Sequence, residues 1–302
     1  MNRIEKGFLR EESREFVVDH EKKRIWAVLL DLLQEFSGVC EAHEITFFAD
    51  GGTLLGAFRH QGFIPWDDDI DIIMTRREYD KLLAVSDEFK HPYFLQTHES
   101  DPMACRGHAQ LRNSETTAIL RNEMLNGKPV CNFNQGIFID IFVLDNIPDN
   151  DKTAKSFMKQ LSRLKKRIAL CRNARCGEIR KKRKAASIKI RSFIWELFHS
   201  GDYLEMLQRK FDAMARRYEH DNTRRCSHLT FMPKPAAKYI LDKSIFSEKR
   251  MTKFEFLQVP VPGKAEEYLS VLYGDWRKYV VGGSLHGEVF FDVDNPYRKY
   301  LA

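Results

Sequence analysis

No stretch of the chain holds eighteen consecutive apolar residues, so no membrane-spanning helix is expected. The opening residues, MNRIEKGFLREESREF, are charged throughout and have no apolar h-region, so no secretory signal is expected in them. Six cysteines (Cys40, Cys105, Cys131, Cys171, Cys176, Cys226) are widely scattered, and no pair has the two-residue spacing of a zinc knuckle. Reduced thiols in a cytoplasmic protein are the simplest expectation. There is no helix-turn-helix or zinc-finger signature, no aromatic interleaving of the kind single-strand nucleic-acid binders use, and no internal repeat or low-complexity tract.

What is present is ordinary for a globular protein: 43% hydrophobic and 30% charged residues over 302 positions. That length allows one large domain, or a catalytic domain with a helical appendage. The charge is unevenly spread. Between Lys152 and Arg191 stand sixteen Lys or Arg against one acid, Glu178, a net +15 in a chain whose total is +6, so the remainder carries −9. A basic segment beside an acidic remainder suggests an anionic partner for the former: a membrane surface, nucleic acid or an anionic glycan. A solvated helix face is the bland alternative.

The acidic part centres on Asp50–Thr75, DGGTLLGAFRHQGFIPWDDDIDIIMT. Asp69-Ile70-Asp71-Ile72 alternates acid and apolar, then runs apolar, the pattern of a half-buried strand. Residues two apart on a strand share a face, which puts Asp67, Asp69 and Asp71 together and Asp68 opposite. Three like charges on one face repel unless a cation neutralises them. Just upstream, Ile45–Ala49 reads as a strand delivering Gly51-Gly52, with Thr53 a candidate N-cap of the helix that follows. A glycine turn between a strand and a helix N-terminus is an anion site, because backbone N–H groups converge there with the helix dipole. Alone, Gly-Gly marks only a tight turn needing positive φ.

A second informative stretch is Gln135–Asp145, QGIFIDIFVLD, whose apolar run predicts a central strand buried on both faces with Asp140 in its middle. A buried carboxylate needs a partner. A structural bond to backbone or Arg would serve, but beside another aspartate cluster metal ligation carries more weight. Asp145 reads as a turn residue before Pro148. Elsewhere the spacing predicts helices over about 12–43 (packing only), 76–89 and 266–272, two helices in the basic segment broken near Cys176-Gly177, and more helix over 194–218. Weaker strands are expected at 94–96, 109–112, 228–232 and 254–262, the last an edge strand ended by prolines. Arg112, Thr116 and Arg121 are candidate phosphate ligands, and His286 is a candidate ligand or nucleotide contact.

An oxygen-only carboxylate pocket suits Mg²⁺ or Mn²⁺ rather than zinc. With a phosphate-holding turn beside it, the constellation predicts metal-assisted phosphoryl or nucleotidyl transfer. Asp140, coming from a separate strand, is the candidate to take the acceptor's proton.

GGTLLGAFRHQGFIPWDDDIDI (51–72), GIFIDIFVLD (136–145) and YGDW (273–276) resemble the LicD family of phosphotransferases, which includes fukutin-related proteins. The resemblance spans nearly the whole chain. It implies an α+β, nucleotidyltransferase-like fold: a mixed sheet flanked by helices, with a catalytic core over 1–150, the basic helical segment 151–225 as an insertion, and 226–302 completing the active site. It implies a CDP-alcohol donor such as CDP-choline and transfer of the phospho-alcohol to a sugar hydroxyl of a cell-surface glycan or lipid-linked precursor, releasing CMP. The family's metal aspartates fall on Asp67, Asp69, Asp71 and Asp140, with Asp69, Asp71 and Asp140 catalytic. Its phosphate-binding turn falls on Gly51, Gly52 and Thr53, to which Arg112 and His286 are added as candidates. One departure is WRKYVVGGSLHG (276–287), where the family has a proline-containing stretch. The competing readings are NMP transfer from an NTP and nucleic-acid binding through the basic segment. The expected place is the cytoplasm, with the basic helices at an anionic membrane.

Overall fold

The computed structural model describes residues 12–13, 16–104, 106–125, 128–129, 132–175, 182–199, 202–230, 239–280 and 288–301. Asp19 adopts an extended conformation and accepts a hydrogen bond from the Lys22 N–H, so the first helix, α1 (His20–Ala42), starts eight residues later than its apolar spacing suggests. Before it, β1 (Glu12–Ser13) and β2 (Phe16–Val17) pair in a short hairpin. Then follow β3 (Phe48–Ala49), α2 (Gly51–His60), β4 (Asp71–Thr75) and α3 (Arg76–Ala84). Next come β5 (Tyr93–Gln96), β6 (Ala109–Asn113), β7 (Thr117–Leu120), β8 (Met124–Leu125), β9 (Lys128–Pro129) and β10 (Ile137–Ile147). Three helices, α4 (Asp151–Arg175), α5 (Lys182–Phe198) and α6 (Tyr203–Ala215), lead to β11 (Arg225–His228) and β12 (Ile240–Asp242). The hairpin β13 (Lys249–Phe254) and β14 (Leu257–Pro262), α7 (Ala265–Tyr273) and β15 (Val289–Asp292) complete the described chain.

The architecture is α+β, as expected, and the sheet is mixed. Seven strands are organised on β10, the long apolar strand. Its first half pairs antiparallel with β6, which pairs with β5. Its second half pairs antiparallel with β11, which pairs with β12. Along its other edge runs β4, parallel to it, with β3 beyond. Flanked on both edges and covered by α1, β10 buries every side chain but two to a high degree, which is why it reads as an apolar run.

One large apolar core joins α1, α2, α7 and the sheet. Helices α4 and α6 build a separate core from Phe157, Leu161, Leu164, Ile168, Leu204, Leu207 and Phe211, touching the sheet through Ile147 of β10 and Ile240 of β12. Charge links the two. Arg76 makes a bidentate bond to Asp145 at 2.7 and 2.9 Å and reaches Asp212 of α6 at 3.0 Å, while Arg216 pairs with Asp80. Asp145 is therefore not a turn residue; it is a buried strand residue whose charge is matched by Arg76.

The remaining differences are local. The strand expected over 254–262 is one arm of a hairpin: Pro262 ends β14, as the sequence suggests, while Pro260 sits inside it, which a two-stranded hairpin tolerates because its free edge needs no N–H donor. The 228–232 strand is observed only as β11, ending at His228; 231 and 232, the break near Cys176-Gly177 and His286 lie outside the described residues.

Candidate active site

The acidic stretch is a loop that becomes a strand. Residues 67–70 have no ladder partners, and β4 starts at Asp71. Strand alternation therefore fails for Asp68. Its carboxylate does not point away but has an oxygen within 4.8 Å of those of Asp67 and Asp69. What holds this loop is α1, expected only to pack: Trp26 Nε1 donates to the Asp67 carbonyl at 2.9 Å and Lys22 Nζ to the Trp66 carbonyl at 3.2 Å.

Asp71 and Asp140 are register partners on the parallel strands β4 and β10, so their side chains stand side by side on one face. The row continues across the sheet: Asp140 faces Gln110 of β6, and Gln110 faces Gln96 of β5. Gln110 Nε2 donates to Asp140 Oδ1 at 2.6 Å, and His108 Nε2 lies 3.0 Å from the same oxygen.

The Gly51-Gly52 turn closes the site from the α2 side. Gly51 has a positive φ of 51°. A Cβ built on it would lie 2.6 Å from Asp71 Oδ2, and one on Gly52 would lie 2.4 Å from Asp67 Oδ2. The two glycines thus let two carboxylates approach the helix N-terminus directly. The helix begins at Gly51, with Asp50 rather than Thr53 at the N-cap position. Thr53 is buried, and its hydroxyl accepts from the Asp71 N–H at 2.9 Å, so it positions Asp71 instead of capping. Asp50 makes no capping bond of its own. Tyr268 Oη donates to its Oδ1 at 2.6 Å and His228 Nε2 lies 3.3 Å from its Oδ2.

Electrostatics divides these acids into two kinds. Burial, then the neighbouring Asp69, pushes Asp67 well above the usual carboxylate range. Burial, then Asp69, Asp140 and Asp50, does the same to Asp71. Burial opposes ionisation of Asp140 as well, but the charge and bond of His108, the Gln110 bond and Arg106 outweigh it and hold that carboxyl low. A low pKa suits a permanently ionised ligand and argues against Asp140 as the base expected from the sequence. Asp50 is also held low, burial being overcome by His228 and Tyr268.

A divalent cation fits this donor set. The ligands are all carboxylate oxygens, they repel one another, and the glycine turn lets Asp67 and Asp71 stand close against the start of α2. Asp67, Asp69, Asp71 and Asp140 would hold it.

Arg112, expected among the phosphate ligands, is placed differently. It is fully buried, with Nε on Gln96 Oε1 at 2.5 Å, Nη1 on the Gly136 carbonyl at 2.7 Å and Nη2 on Gln110 Oε1. Its guanidinium is consumed behind the site. Thr116 is likewise buried, its hydroxyl shared between the Asn113 carbonyl and the Ile137 N–H. Arg121 pairs with Glu288 at the surface.

Sequence patterning does not find His108, Gln110, His228 or Lys165, because each stands outside any acidic or glycine motif. Lys165 comes from α4, in the basic segment. Burial lowers its pKa to about 8, its charge acts on His108, and it has no acidic partner among the described residues. Tyr273, from the YGDW stretch, is 44% exposed, and partial desolvation together with the charges of Asp50, Asp71, Asp67 and Asp69 raises its pKa.

Residues 44–165 match the family model described as "LicD/FKTN/FKRP, nucleotidyltransferase domain". That span contains the glycine turn, all four aspartates, His108 and Gln110, and it ends on Lys165. The chain is 29% identical over 259 residues, 83% of its length and 89% of the relative's, to "Lipopolysaccharide cholinephosphotransferase LicD" of Haemophilus influenzae. A shorter match, 31% identical over 78 residues and covering 26% of this chain and 29% of the relative, is to an uncharacterized protein of Rickettsia prowazekii.

Proposed function

We propose that this chain, which belongs to the LicD family, transfers a phospho-alcohol, phosphocholine foremost, from a CDP-alcohol to a sugar hydroxyl of a lipopolysaccharide-type glycan precursor and releases CMP. The observation that carries this reading is the register pairing of Asp71 with Asp140 beneath the N-terminus of α2. Acidic ligands and an anion-binding helix end converge on one point, as a nucleotide diphosphate donor requires.

In this reading a divalent cation, Mg²⁺ or Mn²⁺, is held by Asp67, Asp69, Asp71 and Asp140, and when bound it supplies positive charge against the donor phosphates. The remaining work falls to the chain itself. The N–H groups of the first α2 turn receive phosphate oxygens, since the first N–H groups of a helix have no intrahelical partner. Lys165, buried and acting by its charge on His108, is the further cation assigned to the donor phosphates in this reading. Thr53, Trp26 and Lys22 fix the backbone on which two of the aspartates stand. The acceptor oxygen forms a bond to the alcohol-bearing phosphorus as the bond from that phosphorus to the bridging oxygen breaks. CMP carries away the electron pair, and the hydroxyl proton passes to a carboxylate of the cluster.

Incubation with CDP-choline, CDP-ethanolamine, CDP-glycerol, CDP-ribitol and each NTP, with chromatography of the products, tests the proposal. Acceptor-dependent CMP from a CDP-alcohol is expected. Pyrophosphate from an NTP, with no CMP from any CDP-alcohol, would replace it with nucleotidyl transfer.

A further inference from the structure

Helix α5 has two apolar faces, and only one is covered. Its inner face rests on the helical core: Ile188 packs into that cluster, Ser192 Oγ lies 3.9 Å from Cys171 Sγ, and Glu196 pairs with Arg175 at 3.2 Å. On the outward face Ile190, Phe193, Ile194, Leu197 and Phe198 follow the i, i+3, i+4, i+7, i+8 spacing of a single stripe. Their exposures run from 50% at Ile194 to 74% at Phe198. A surface helix ordinarily turns polar residues outward, and a contiguous exposed apolar stripe marks an interaction surface.

The surroundings of the stripe identify what covers it. At 100° per residue, Lys189 and Arg191 fall on its opposite borders, and both are exposed. The sequence across the start of the helix reads Arg180-Lys181-Lys182-Arg183-Lys184, within the segment of net +15. Among the described residues no helix is long and apolar enough to cross a membrane. An apolar stripe bordered by Lys and Arg is the pattern of a helix lying in the plane of a lipid surface, its aliphatic and aromatic side chains among the acyl chains and its cations at anionic headgroups. A second copy on the same stripe would set two basic surfaces against each other. A polyanion such as RNA would use the borders and leave the stripe wet.

We propose that α5 docks this chain on an anionic membrane by inserting the Ile190–Phe198 stripe into the interface. The proposal stands independently of the reaction assigned to the aspartate site. It is tested by flotation of the full chain with vesicles of phosphatidylcholine alone and of phosphatidylcholine with phosphatidylglycerol. Binding to the anionic vesicles only is expected, and it weakens as salt rises. The double variant Phe193→Ser/Leu197→Ser changes exposed positions, so its far-UV circular dichroism and melting should match the parent, while its vesicle partitioning falls by at least about tenfold. Lys189→Glu/Arg191→Glu should lower partitioning onto the anionic vesicles as well. Equal partitioning of parent and Phe193→Ser/Leu197→Ser would overturn the proposal. So would absence of vesicle binding together with an oligomer that this variant dissolves, or with RNA retention that it leaves intact.

Discussion

Gln110 donates to Asp140 Oδ1 at 2.6 Å because Arg112, buried behind it, occupies the other end of the same amide. Arg112 has only donors, so it fixes the Gln110 carbonyl toward itself and the NH₂ group toward the aspartate. A residue suited by type to a phosphate acts instead through a neighbour. Gln110→Leu removes one donor from Asp140 and one acceptor from Arg112. Stability should fall by about 1–3 kcal/mol, and transfer should fall by about 10–100-fold, as for loss of a bond that orients a metal ligand. Urea denaturation and steady-state kinetics measure the two effects. Unchanged kinetics would mean that Asp140 needs no orienting.

The raised Asp67 and Asp71 carboxyls give a pH signature. An acid whose folded pKa lies above its unfolded value binds its proton more tightly when folded. The cation-free fold is then favoured below the unfolded pKa and loses that contribution as pH rises through the folded one. In chelator, Asp71→Asn should therefore melt higher than the parent at pH 8, and the gap should close as the solution is acidified through the folded pKa. The same variant should lose transfer by more than roughly a thousandfold, as removal of a central charged group does. Substantial turnover of Asp71→Asn at saturating Mg²⁺ would eliminate Asp71 as a ligand.

Gly52→Ala tests whether the turn exists for the carboxylates. Its Cβ would arrive 2.4 Å from Asp67 Oδ2, so Asp67 must move. The Mg²⁺ or Mn²⁺ requirement for half-maximal rate should rise by about tenfold or more while the melting temperature changes little. At Gly51 the positive φ adds backbone strain of about 1–3 kcal/mol. Gly51→Ala should therefore be visibly less stable than Gly52→Ala by denaturant titration.

Lys165 predicts a contrast between stability and binding. Its folded pKa, lowered by burial to about 8, lies below that of an ordinary lysine, so its charge disfavours folding at neutral pH. Lys165→Met should stabilise the chain at pH 7 by about 1–3 kcal/mol, and the gain should vanish above about pH 10.4, where the lysine is neutral in both states. The same change should raise KM for the donor by about tenfold or more, the effect of losing one charged contact. A stabilised variant with unchanged KM would reduce Lys165 to a structural lysine of the insertion.

Much of this was written in local pattern. The apolar run of β10 announced a central strand because both its edges are paired and α1 covers it. The four aspartates were legible from their spacing, and the Gly51-Gly52 pair only because it stands just upstream of them between a strand and a helix. Local pattern misled wherever one side chain had two uses. Asp68 obeys no alternation because the chain before Ile70 is tied to α1 through the Asp67 carbonyl, and the bonds to β10 begin only with the Ile70 carbonyl, which accepts from the Asp140 N–H at 2.9 Å. Asp145 looked like a turn residue because its partner, Arg76, lies sixty-nine positions away. The order of residues therefore determined the strand, the glycine turn and the charge segregation, which depend on neighbours a few positions apart. Tertiary structure alone decided that Asp71 faces Asp140, that Arg112 stands behind Gln110, and that the charge of Lys165, from the basic segment, acts on His108. Those relations require strands and helices distant in sequence to share a face, and no short-range pattern encodes that.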